Sequence, residues 1–127
     1  MRGYVKALTR RDSLMGVMEE FLADKDAWLC PVSPTPAFTH RRPAVNLPGQ
    51  PIEVDDQLVP YWVGTFSYTT IFNLTGNPVV VQPLARSEEG LPIGVQLVGQ
   101  RWSDMNLLTI ASLLAKVTGP FQRPPGY

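Results

Sequence analysis

The sequence predicts an α/β fold, a partial mixed sheet of three or so strands flanked by helices. Three observations point there. Apolar residues recur at helical spacing near both ends, over residues 3–23 and 104–118. Between them lie two strand-like runs, Val79–Leu84 and Leu91–Val98, separated by the turn-forming Ser87-Glu88-Glu89-Gly90. At 127 residues and 44% hydrophobic content, the chain can build one core and is too short for two ordinary domains.

In the first helix, Tyr4, Leu8, Met15, Met18 and Leu22 form the apolar stripe, widened by Leu14 and Phe21. Gly16 sits inside it at a cost of about 1 kcal/mol relative to Ala. Ala27-Trp28-Leu29-Cys30-Pro31 reads as a short buried strand stopped by proline. Residues 31–60 hold seven of the 13 prolines, so no periodic core pattern survives and a long extended loop is expected.

Residues 61–76 are ambiguous. Aromatic and Thr content leans to strand, whereas Trp62, Phe66, Thr69 and Asn73 suit a helix. Asn73–Pro78 reads as a turn. The following segment, 78–98, is a strand hairpin. Val79–Leu84 has the β-branched run of a central strand buried on both faces. In its partner, Gly94 marks a place for close approach. Ser103 or Asp104 caps the last helix, whose stripe is Leu107, Ile110, Ala111, Leu114 and Val117. Gly119-Pro120 stops it with a left-handed cap, and the proline-bearing tail becomes a surface strap.

Charge excludes some functions. Eleven basic and 11 acidic residues cancel, so no field gathers nucleic acid or anionic lipid. No apolar run approaches the ~20 residues needed to span a bilayer. Cys30 is the lone cysteine, so no internal disulfide forms; this suits a reducing, cytoplasmic setting. It is expected to be a buried, inert thiol.

Catalytic equipment is sparse. No serine sits in a Gly-x-Ser-x-Gly elbow, and the glycines never cluster as a phosphate cradle. His40, the single histidine, lies in the proline loop beside Arg41 and Arg42 and is expected at the surface. One His and one Cys do not make a metal site, so no metal or cofactor is expected. Asp24-Lys25-Asp26 and Asp55-Asp56 read as solvated turns. The aromatic set Tyr61, Trp62, Phe66, Tyr68 and Phe72 is core first and pocket wall second.

The order of several segments resembles the C-terminal portion of amidase signature family hydrolases. The likeness rests on Leu8-Thr9-Arg10-Arg11-Asp12, on Asp26–Phe38 with its Pro31-Val32-Ser33-Pro34-Thr35-Pro36 core, on Tyr68–Pro78, on Gly90–Gly99, and on Trp102, Asp104, Leu107 and Leu108. The resemblance implies a large twisted sheet with helices on both faces. It also implies metal-free hydrolysis of carboxylic amides by a Ser nucleophile, a second Ser in a cis peptide and a Lys base. That machinery belongs to a Gly/Ser-rich stretch upstream of the matched portion. Here no two glycines and no two serines are adjacent, and Lys6, Lys25 and Lys116 fall in other segments. No catalytic residue carries over, so a segment inactive alone is expected.

The resemblance does place Tyr68, Thr69 and Phe72 on a helix flanking the acyl channel, as substrate-binding candidates. It also favours helix for residues 61–74. The expected partners are a second copy of the chain, as a homo-oligomer, or a separate N-terminal amidase chain. The alternative to a hydrolase segment is a non-catalytic structural or oligomerising module.

Overall fold

A computed structural model describes residues 1–39, 50–119 and 121–123. Its elements are α1 (Arg2–Leu22), β1 (Trp28–Pro31), β2 (Ile52–Val54), β3 (Gln57–Val59), α2 (Tyr61–Thr75), β4 (Val79–Arg86), β5 (Pro92–Val98) and α3 (Asp104–Thr118). His40, Arg41, Arg42, Pro43 and Pro48 lie outside the described residues, as do Pro120, Pro124 and Pro125 of the tail.

The α/β class holds, with antiparallel pairing in both sheets. The main sheet has the order β1-β5-β4. Val98 pairs with Trp28 on one side and Val79 on the other, and Gln96 with Cys30 and Val81. β5 is therefore the central strand. The expectation that Val79–Leu84 is central and buried on both faces is corrected: β4 is an edge strand, with Val79 and Val81 exposed. A β-branched run specifies a strand without specifying its neighbours. Pro83, which has no N–H to give to a ladder, sits where the β4–β5 register shifts. β1 is likewise an edge strand, burying Cys30 while Leu29 is exposed.

Helices cover the two faces with an offset. Under α1 and α2, Leu22, Cys30, Phe72 and Val98 form one buried cluster, with Met18, Trp28 and Ile71 packed around it. On the other face, Leu97, Leu107 and Ala111 form a second, joined by Ala27, Val80, Ile110 and Leu114. Each fully buried aliphatic side chain stabilises by about 1.5–3 kcal/mol. Only the C-terminal part of the α1 stripe is used: Leu22 is buried and Tyr4 is exposed.

The Pro-rich stretch 31–60 is not wholly loop. β2 and β3 form a hairpin turned by Asp55 and Asp56, at φ 48° and 61°. Aspartate tolerates this left-handed region, which a tight two-residue turn requires. Ile52 of the hairpin is 1% exposed and packs over Gly64 of α2. A Cβ at Gly64 would come within 2.7 Å of Ile52 Cγ1 and closer still to its Cδ1. The tight glycines are therefore Gly64 and Gly99, where a Cβ would lie 2.8 Å from Ser103 Oγ. Gly94 is not one of them: a Cβ there would meet its nearest atoms at 3.6 Å, an ordinary contact.

Residues 61–75 resolve as helix against strand propensity. Thr65, Thr70 and Thr75 hydroxyls donate to the carbonyls four residues back, so these side chains are satisfied within the helix. Gly76, at φ 77°, ends it in a left-handed cap with its N–H on Phe72 O at 2.8 Å. Two cap expectations change. Ser103 stands at the N-cap of α3, but its hydroxyl donates back to Gln100 O at 2.6 Å. Gly119 has φ 95° and ψ 164°, a positive φ outside the left-handed helical cap.

Candidate functional site

Gln96 determines where α2 sits. It lies on the central strand, 1% exposed, between β1 and the helix. Its Nε2 donates to Pro31 O at 2.7 Å and to Tyr68 O at 2.9 Å. One buried amide thus ties the end of β1 and the middle of α2 to β5. A polar group so buried is stable only when paired, and these bonds pair it. Cys30 packs beside it; burial pushes the thiol pKa up, and a hydrogen bond with Gln96 partly opposes that shift.

The three candidates on α2 separate into two kinds. The Tyr68 side chain is exposed and Thr69 is half-buried, its hydroxyl 3.4 Å from Phe66 O. Phe72 is 3% exposed inside the core. Its ring meets Trp28 edge-on at 5.6 Å, and Trp28 meets Phe21 at 5.1 Å. The structure keeps Tyr68 and Thr69 accessible on α2 and uses Phe72 to anchor the helix.

A second polar centre lies where the sequence predicts only a turn, at Asn73–Pro78. Asn77 is 7% exposed, and its Nδ2 donates to Glu19 Oε1 at 3.1 Å and Gly99 O at 2.9 Å. Thr75 Oγ1 lies 2.6 Å from Asn77 Oδ1. Glu19 also accepts from Arg101 N at 3.3 Å, and Gln100 Nε2 donates to Leu22 O at 2.8 Å. This clamp joins α1, the end of α2 and the exit of β5. A polar side chain directly after a helix-ending glycine was the available signal.

The serines among the described residues lack a strong base. Among the described residues, Ser13, Ser103 and Ser112 donate to main-chain carbonyls, and no serine is bonded to a lysine. Lys6, Lys25 and Lys116 are exposed. Ser87 bonds Glu89 in the β4–β5 turn, holding that carboxyl below the usual range. A carboxylate that ionises so readily is a weak proton acceptor. Among the described residues, no three His, Cys, Asp or Glu side chains gather as a metal site, and no helix is long and apolar enough to cross a membrane.

A family model described as Amidase matches residues 1–108. The chain belongs to the amidase family. Fatty-acid amide hydrolase 2-A of Danio rerio is 34% identical over 117 residues, covering 92% of this chain and 19% of the relative. The A subunit of glutamyl-tRNA(Gln) amidotransferase from Wolinella succinogenes is 33% identical over 116 residues, 91% of this chain and 23% of that protein. Among solved structures, an amidase superposes with a TM-score of 0.78 at 28% identity, over 93% of this chain and 25% of its own. The corresponding A subunit from Thermotoga maritima gives 0.66 at 31% identity, over 94% and 23%. This amidase-family chain therefore spans 19–25% of the length of these relatives and structures.

Proposed function

We propose that the chain is the C-terminal scaffold segment of an amide hydrolase and does not hydrolyse amides by itself. It adds three sheet strands and three helices to the fold. It presents Tyr68 and Thr69 toward an acyl channel, with Phe72 as the anchor beneath them. The observation that carries this is the match over 93% of this chain to only 25% of a solved amidase. The serine–lysine geometry described above supports it, because amide cleavage needs an activated nucleophile. A chain supplying the remaining Ser-Ser-Lys core, in the same polypeptide or as a partner, would complete the site.

Co-expression with an N-terminal amidase chain tests the reading. The expected result is co-elution and amide turnover exceeding that of either chain alone. No gain in turnover, with the two chains eluting apart, overturns it.

A second reading is a self-associating module in the same reducing, cytoplasmic setting. It is favoured by exposed Val79 and Val81 on β4 and by exposed Met105, Leu108, Leu113 and Val117 on α3. Sedimentation equilibrium distinguishes the two: a concentration-dependent dimer supports this reading, and a monomer at high concentration removes it.

A further inference from the structure

α1 carries a face of uncompensated positive charge. Arg2, Lys6 and Arg10 stand one turn apart and share a side of the helix, with Gly3 and Ala7 between them and Leu14 one turn beyond Arg10. Arg11 borders this side, its Nε donating to Leu74 O at 2.8 Å near the end of α2. Between these two helices lies a cleft of about 430 Å³, lined by Lys6, Arg10 and Arg11 with Ala7, Leu14 and Leu74. Among the described residues the ion pair found is Lys25–Asp24, so none of these cations has an acidic partner there. Helical spacing places Asp12, the nearest acidic residue in sequence, on the far side of α1.

Like charges four residues apart repel, so this face gains from an anion laid along it. Its layout selects the kind of anion. The cations are spread over about 12 Å of helix rather than converging on a point. The cleft beside them is small or apolar: nothing lies within 4 Å of where a Gly3 Cβ would be, and Leu14 and Leu74 in its lining are exposed. Carboxylates spaced along a chain, with apolar side chains between them, match both features. We propose that this cleft docks an acidic, amphipathic segment of a partner polypeptide. The proposal does not rest on the substrate-contact reading of Tyr68, Thr69 and Phe72: α2 contributes only Leu74 to the cleft.

Fluorescence anisotropy of the full chain with a labelled peptide alternating Glu and Leu tests it. A Lys–Leu peptide and a single-stranded RNA of similar length are the comparison probes. The Glu–Leu peptide is expected to bind, and more weakly as salt rises. Lys6→Glu with Arg10→Glu weakens it by about tenfold or more, with helix content unchanged by circular dichroism. Ala7→Trp fills the floor without altering charge and weakens it as well. Overturning results are no binding, equal binding by the charge-reversed variant, equal binding of the Lys–Leu peptide, or binding of RNA without the Glu–Leu peptide.

Discussion

Gly64→Ala sets two effects of opposite sign against each other. In an exposed helix interior, replacing Gly by Ala stabilises by about 1 kcal/mol, because Gly loses more backbone freedom on folding. At Gly64 the new methyl would lie 2.7 Å from Ile52 Cγ1 and 3.3 Å from Val59 Cγ2, with Ile52 Cδ1 nearer than either. Ile52 is 1% exposed, so its side chain has no solvent to rotate into. Overpacking of this kind costs about 1–3 kcal/mol. The net expectation is a loss of roughly 0–2 kcal/mol, read as a lower urea midpoint at unchanged slope. Ile52→Ala alone costs about 2–5 kcal/mol through the cavity it leaves. In the double variant the methyl introduced at position 64 enters that cavity, so the combined loss falls short of the sum of the single losses by about 1 kcal/mol or more. A Gly64→Ala variant stabilised by the full helix-propensity gain, additive with Ile52→Ala, would refute the packing of the hairpin on α2.

Four further predictions test other parts of the structure. Gln96→Leu leaves the Pro31 and Tyr68 carbonyls without their side-chain donor and should cost about 1–3 kcal/mol, measured by urea denaturation. Asn77→Ala releases the clamp between Glu19 and Gly99 at a similar cost of about 1–3 kcal/mol and should speed hydrogen exchange at the end of α1. Gly76→Ala puts a Cβ on a backbone at φ 77° and should lower stability by about 1–2 kcal/mol; a thermal midpoint that does not fall would contradict the left-handed cap. Burial raises the Cys30 thiol pKa in the folded chain above its ordinary value of 9.0. The unfolded thiol ionises first, so this contribution is complete below that value and is lost as pH rises through the folded pKa. Urea midpoints should therefore fall more steeply above pH 9.0 for the native chain than for Cys30→Ala.

Local pattern made the outer helices legible as helices, because their stripes repeat at helical spacing whatever surrounds them, but not how far each stripe is buried: Tyr4 of the α1 stripe and Val117 of the α3 stripe are exposed. Neighbour relations were not legible. Val79-Val80-Val81 encodes a strand equally well at an edge or a centre, and only the β5 register shows that it is an edge. The Asp55-Asp56 hairpin was hidden by prolines on both sides, though two turn-forming residues flanked by Ile52, Val54, Leu58 and Val59 were there to read. Propensity could not settle α2, since its threonines satisfy themselves within the helix while its buried face is fixed from outside by Gln96. The spacing of Tyr68, Thr69 and Phe72 likewise could not tell which of them turns inward. Trp28, more than forty positions earlier in the chain, decides that for Phe72.

Fluorophosphonate labelling of the purified chain, followed by intact mass, tests the central claim most directly. The reagent reports an activated serine without requiring knowledge of the amide substrate. An unmodified mass is the predicted result. One phosphonate adduct per chain, abolished by a single serine substitution, would show that an attacking group is already assembled here and would contradict the account.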